Sequence, residues 1–600
     1  MKHKTSWIFF FGIGLSLLLT TTACKEMNEE QKAELSLSKS SQIIKEVGAA
    51  YWNNMIEESL SLRMKYGNRI EKLPDISLKH AQSQSALSKS WLEKLILVDS
   101  QTISHDAWIS LEILKWKFEA SIDNINYYWL NFPITPNASP LPSIHRAFRT
   151  YKFEENGDLE NYLNLLEQYP ALIKAMLHKS QRQFEKNIVL PKDELDLVVP
   201  FLNSYIKKGN RSLFYVNEER LDNFDAHDIK NFQQKLMETI VSEINPCLKR
   251  LVDYVKGAYQ KKAANQVGLW QYPGGSAYYD YLIKYYTTLN LTPEEIHDIG
   301  LKYIELNDVE IDKIRKSTGF KGSLTKFKHF LETDPRFFPK TAEEIGEKLQ
   351  SFMGGMCEQI NRYFLKKPKA QWAIERLAPE LEESMTFGYT KSPTAADPRG
   401  IYYYNGSKPE ERSLLQSESL IYHELIPGHH FQGSLQSENR NLPNFRRETH
   451  FCAYSEGWAE YAAWLGLEMG LYKNPYDLCG RYLSDTFLAA RLVVDTGMNY
   501  FKWPRDEAVI FMKDNTTFSE TQIYTESLRY SVGEPGQALA YKLGSIKMAE
   551  LRKKAERALG AKFDIRKYHD AILGSGSMPL PILEKHIDWF IDQELSDPGS

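Results

Sequence analysis

The chain is 600 residues long, 42% apolar and 25% charged, with a formal net charge of −4. That is globular composition with ample length for a large buried core. Lysines and carboxylates are interspersed without a basic block, which argues against nucleic acid as a partner.

The N-terminus starts with Met1-Lys2-His3-Lys4, continues with an apolar run from Trp7 to Leu19, and reaches Cys24 through small residues. A run of about 13 residues is short for a bilayer span and suits the core of a signal peptide. LLLTTTAC resembles a bacterial lipoprotein signal in which Cys24 is acylated, although Thr21 stands where leucine is usual; a plain signal peptide cleaved nearby is the alternative. No later segment is apolar enough to span a membrane. The expectation is an exported protein held at the cell envelope (periplasm or outer membrane) by lipid alone. Residues 1–24 are thus leader, 25–44 a polar flexible tether, 45–592 one large helical domain with a lobe boundary near 260, and 593–600 a tail. The remaining cysteines, Cys247, Cys357, Cys452 and Cys479, are scattered and read as buried small apolar residues.

Most of the chain has helical patterning. Leu159, Tyr162, Leu163 and Leu166 share one helix face. Thr292-Pro293-Glu294-Glu295 is a capping box with proline at the first helical position, and Thr341-Ala342-Glu343-Glu344 repeats it without proline. The β-branched and aromatic stretch Gly400–Gly406 predicts a strand. A helix is then expected from near Pro409, carrying YHELIPGHHFQ at 422–432.

His423-Glu424 opens like the zinc-peptidase helix H-E-x-x-H, in which two histidines one turn apart meet one metal and the glutamate serves as general base. Position 427, however, is proline. Pro427 has no N–H to donate to residue 423, and Gly428 adds backbone freedom, so a break is expected there. His430 would share the face of His423 on an unbroken helix, but about 10.5 Å along the axis. A bulge at Pro427-Gly428 would instead bring His429 back beside His423. His429 is therefore the preferred second ligand and His430 the alternative. A third ligand is expected from the acid-bearing aromatic stretch 450–461, with Glu456 preferred and Glu460 the alternative or a residue orienting a histidine. Arg491 and Asp495, four apart, read either as an ion pair along a helix or as a guanidinium that faces a substrate carboxylate.

HELIPGHHFQ, EGWAEY, RLVVDTG and YSVGEPGQALAYKLG together resemble the bacterial family of domain of unknown function 885, as do GLWQYPGGSAYYDYLIKYYTTLNLTPEEIHDIGL at 268–301 and DPRGIYYYN at 397–405. That family is rich in lipoproteins and is grouped with gluzincin metallopeptidases. The resemblance implies a mainly α, two-lobed gluzincin-like fold with a deep channel and a small β element beside the metal helix. It also supports His429, since similar peptidases carry H-E-x-G-H and H-E-x-x-G-H. It further implies that 401–405, with Tyr402, Tyr403, Tyr404 and Asn405, is the edge strand holding the peptide backbone. Tyr530 and Tyr541 become oxyanion-stabilising candidates, and Gln537 a substrate contact. Where the family has a histidine after the glycine of RLVVDTG, this chain has Met498-Asn499-Tyr500. The resulting expectation is a peptidase with one zinc ion that hydrolyses short peptides, with Glu424 as general base. A metal-dependent hydrolase of a non-peptide amide or ester, or an inactive binding lipoprotein of the same fold, are the alternatives.

Overall fold

The computed structural model describes residues 29–382, 388–394 and 397–597. The leader and Cys24 lie outside the described residues. The protein is mainly helical, 71% helix and 3% strand, with a single small sheet among the described residues. None of the described helices is long and apolar enough to cross a membrane.

Helix α1 spans Glu29–Glu58, so most of the stretch expected as a tether is helical. Its glutamates, lysines, alanines and leucines are strong helix formers, and Ile44 and Val47 dock into the core. α2 (Asn156–Glu185) buries Leu159, Tyr162 and Leu166, as the spacing predicts. α3 (Pro293–Ser317) starts with a complete capping box: Glu295 N–H donates to Thr292 Oγ1 at 3.2 Å, and Thr292 N–H to Glu295 Oε2 at 2.8 Å. In α4 (Ala342–Gln359) the threonine cap forms at 3.3 Å, but Glu344 accepts from Lys340 N–H instead.

Strands β1 (Trp372–Arg376), β2 (Gly388–Lys391) and β3 (Gly400–Tyr404) form one sheet in the order β1-β3-β2. β3 is parallel to β1, with Trp372 opposite Gly400, and antiparallel to β2, with Gly388 opposite Tyr404. It is therefore the central strand and not the expected edge. Its backbone is paired on both sides.

The helix expected from Pro409 is a single 3-10 turn, Pro409–Glu411; α5 begins only at Ser417 and ends at Glu424. α6 (His429–Glu438), α7 (Cys452–Glu468), α8 (Pro475–Asn499), α9 (Glu520–Leu528) and α10 (Leu539–Leu559) follow. α11 (Leu580–Ser596) extends well into the expected tail. Two large hydrophobic cores hold the molecule together, and each combines residues from before and after 260. The core packing therefore does not divide at that point, because α10 contributes Ala540 to one core and Leu539 and Leu543 to the other. Cys247 and Cys479 are buried, as expected, whereas Cys357 is exposed; all four described cysteines are free.

α7 and α10 touch backbone to backbone. A Cβ on Gly457 would come within 2.4 Å of the Gly544 carbonyl carbon, and one on Gly544 within 2.1 Å of the Ala453 oxygen. Only glycines permit this approach. Glu456, beside Gly457, and Tyr541, one turn before Gly544, are thereby brought to the same cavity.

Candidate metal centre

α5 stops immediately after His423-Glu424. Leu425 leaves helical geometry (φ −107°, ψ −91°), the Ile426–Pro427 peptide is cis, and α6 restarts at His429. Gly428 packs on the end of α5: a Cβ there would lie 1.8 Å from the His423 carbonyl oxygen. The buried Trp458 of α7 donates its indole N–H to Pro427 O at 2.9 Å, tying the reversal to the next helix.

This reversal sets His429 beside His423, with ring centroids 4.5 Å apart and planes nearly perpendicular. Glu456 Oε2 lies 3.0 Å from His429 Nε2 and 3.5 Å from His423 Nε2. Candidate ligand atoms of His423, His429 and Glu456 all fall within 4.8 Å of one another, the single such group among the described residues. Ser455 Oγ sits 3.3 Å from the other His429 nitrogen. His430 points elsewhere. Its nitrogens lie 3.3 Å from Ser434 Oγ and 3.3 Å from Ala370 O, against Gly400 at the start of β3.

Glu460 stands behind the cluster, with Oε1 2.8 Å from His423 Nδ1, at ion-pair distance but without hydrogen-bond alignment. Its other oxygen accepts from Arg481 at 2.7 Å; Asp485, 3.6 Å from the same guanidinium, accepts from Lys542 at 2.6 Å. Burial disfavours the charged imidazole of His423, but Glu456 and Glu460 outweigh it and raise its pKa to about 10. Burial opposes ionisation of Glu460 too, yet Arg481 and His423 lower its carboxyl to about 2. Glu456 is likewise held well below the usual range by the two histidines, against its burial. Buried anions kept ionised in this way favour a cation among them.

Glu424 follows His423 and borders the same cavity, of about 680 Å³. Thr390 of β2 donates its hydroxyl to Glu424 Oε2 at 2.5 Å. Nothing in a short polar strand marked Thr390 in the sequence. Arg481, four residues before Asp485 on α8, is the sequence signal for the network behind Glu460.

The remaining expected residues separate. Tyr541 lines the cavity, its ring nearly parallel to that of His423 at 6.1 Å. Tyr530 is fully buried behind Arg491, bonded to its Nε at 2.7 Å and to Glu526. Arg491 borders the cavity, but its partner is Glu526 of α9 at 3.0 Å, not Asp495. Asp495 points to the other side of α8, where Tyr279 and the Gly536 N–H bind it; burial pushes its carboxyl up to about 7. Gln537 is held by Arg529 at 2.5 Å and Cys452 at 3.4 Å, outside the cavity lining. Of the β3 residues only Tyr402 reaches the cavity. Tyr403 packs on Tyr389, Tyr404 is buried in the core against Gly346, and the Asn405 amide donates to Glu382 O at 2.6 Å.

A family model described as bacterial protein of unknown function (DUF885) matches residues 59–587. The chain belongs to this family. Two solved structures, each described as a "putative lipoprotein", have the same overall fold. The one from Colwellia psychrerythraea has a TM-score of 0.84 at 23% identity, over 93% of this chain and 100% of that one. The one from Shewanella oneidensis has a TM-score of 0.66 at 16% identity, over 93% of this chain and 98% of that one. No curated protein matches the chain.

Proposed function

We propose that this member of the DUF885 family is an exported, lipid-anchored, zinc-dependent peptidase of gluzincin type that hydrolyses short peptides. The observation that carries the reading is the convergence of His423, His429 and Glu456 beside Glu424 in one cavity. Two imidazoles and a carboxylate are a donor set used at catalytic zinc sites. Bonds of about 2.1 Å at tetrahedral angles separate donor atoms by roughly 3.4 Å, and Glu456 lies 3.0 and 3.5 Å from the two imidazole nitrogens. Zinc bound there supplies Lewis acidity, lowering the pKa of water and polarising a peptide carbonyl.

The chain's own groups do the rest. Glu424 accepts the proton that the attacking water gives up and passes it to the leaving amine. The Thr390 hydroxyl on Oε2 fixes the rotation of that carboxylate. Glu460 faces Nδ1 of His423 and so favours the proton on that nitrogen, leaving the Nε2 lone pair, on the Glu456 side, for the ion. Tyr541 provides the hydroxyl that stabilises the developing oxyanion. β2, the sheet edge that carries Thr390, is the strand along which a peptide backbone runs. The cavity volume favours short peptides over folded proteins. The lipoprotein description of both neighbours supports anchoring at Cys24.

Metal content of the purified chain tests this reading. Zinc is expected at one per chain, lost in His429→Ala and kept in His430→Ala, while Glu424→Gln keeps zinc and loses peptide turnover. Metal lost only in His430→Ala, or unchanged turnover in Glu424→Gln, would overturn it.

A further inference from the structure

Arg491 has no role in holding the metal cluster, yet it is built into the wall of the same cavity. It sits among Phe487, Leu488, Phe518 and Tyr541, an apolar and aromatic lining in which its guanidinium is the fixed charge. Phe487 lies 4.2 Å and Tyr541 4.8 Å from its central carbon. One edge of the fork is occupied, Nε by the Tyr530 hydroxyl at 2.7 Å and Nη2 by Glu526 at 3.0 Å. Nη1 has no protein partner among the described residues and is not sealed from solvent, so its hydrogens are offered to the cavity. The Tyr541 ring neighbours both this guanidinium and His423: with separations of 4.8 and 6.1 Å, Arg491 is at most about 11 Å from the His423 ring. An extended chain advances about 3.3–3.6 Å per residue, so that span is at most about three residues.

We propose that Arg491 forms a carboxylate subsite next to the metal centre, and that the peptide it selects carries a carboxylate within three residues of the bond that is cleaved. That group is either the peptide's own C-terminus or an acidic side chain. A guanidinium presents five donors in a planar fork and can serve two carboxylates from different edges. Glu526 and Tyr530 hold the fork still before substrate arrives, and the aromatic walls keep water from competing. An amide or a glutamine in the same position would bury the Nη1 donors against a neutral group and forfeit the charge-assisted bond. The subsite rests on the peptidase reading in taking the ligand to be a peptide and in counting the three residues from a bond cleaved beside His423; binding of the carboxylate at Arg491 does not depend on cleavage.

Binding to metal-loaded Glu424→Gln protein separates the two ideas, because it needs no turnover. The probes are N-acetyl-tetra-alanine as the acid and as its C-terminal amide, and the same amide carrying one glutamate or one glutamine at each position in turn. The expected result is tighter binding, about tenfold or more, of the acid over the amide or of a glutamate peptide over its glutamine counterpart. The first difference assigns the C-terminal carboxylate and the second an acidic side chain. Arg491→Lys should narrow the difference and Arg491→Gln erase it. Since Arg491→Gln also strips Glu526 of its partner, the deciding comparison is the one with Arg491 in place. Equal affinity across both pairs, or no binding of any probe, overturns the subsite. Cleavage by the wild-type protein without carboxylate preference would sink the subsite alone, whereas carboxylate-dependent binding with no cleavage of any peptide would leave it standing and remove the peptidase reading.

Discussion

Thr390, on the edge strand of a three-stranded sheet, donates its hydroxyl to Glu424, on the helix that also carries His423, at 2.5 Å. This bond joins the β element to the carboxylate proposed as general base and restrains its rotation. Thr390→Val removes the donor at nearly constant volume. The expected result is a fall in kcat of about tenfold with KM little changed, while Thr390→Ser retains most of the rate. Steady-state kinetics on a cleaved peptide check it, and equal loss in the serine variant would count against positioning through the hydroxyl.

Glu460 links His423 to the buried Arg481, Asp485 and Lys542. Glu460→Gln should keep the fold and weaken metal binding by about 10–100-fold, because the imidazole loses the carboxylate that sets its tautomer and basicity. Chelator competition measures the change. Arg481→Met should be worse for stability, by about 3 kcal/mol or more, since it strips the buried Glu460 of its guanidinium partner and leaves Asp485 to Lys542 alone.

Gly457 and Gly544 form the contact between α7 and α10, and each faces backbone atoms that cannot swing aside. Alanine at either position is expected to cost about 3 kcal/mol or more and to lower metal occupancy, as Glu456 moves away from the histidines. Gly354, exposed inside α4 with nothing near its would-be Cβ, is the control. Gly354→Ala should stabilise by about 0.5–1 kcal/mol. Urea unfolding of the three variants separates close packing from helix propensity.

His569 is fully buried, with Nδ1 2.9 Å from Tyr363 O and Nε2 2.8 Å from the Tyr461 hydroxyl, and burial pushes its pKa down to about 3. Unfolded, it titrates near 6.5, so the unfolded chain takes the proton first. Its stabilising contribution is complete above about pH 6.5 and is lost as pH falls toward 3, amounting to about 2 kcal/mol between pH 7 and 5. The buried Glu194, raised by burial to about 7, acts in the opposite sense: its contribution is present below the unfolded value and is lost as pH rises through 7. Unfolding curves at pH 7 and 5 should therefore show His569→Gln gaining relative to wild type on acidification and Glu194→Gln losing. Parallel pH profiles for all three proteins would contradict both assignments.

The sequence alone determined the mainly helical character of the chain, the capped starts at Thr292 and Thr341, and the two stretches that supply the clustered side chains. These are local matters: periodicity, capping chemistry and residue type act within a few positions. It also favoured His429 over His430, because proline and glycine together forbid an unbroken helix. Only the tertiary structure decided where each candidate side chain ends up. His430 turns to Ala370 and Gly400, β3 is enclosed by two neighbours, and Tyr541 rather than Tyr530 reaches the cavity. Arg491 pairs across helices with Glu526, although Asp495 stands one turn away on its own helix. α8 is buried over nearly its whole second half, polar residues included, so which partner each of its charges meets is set by the helices packed around it. The Gly457–Gly544 contact, which brings Tyr541 to the cavity of the His423, His429 and Glu456 cluster, likewise depends on two helices far apart in the chain and has no signature in either by itself.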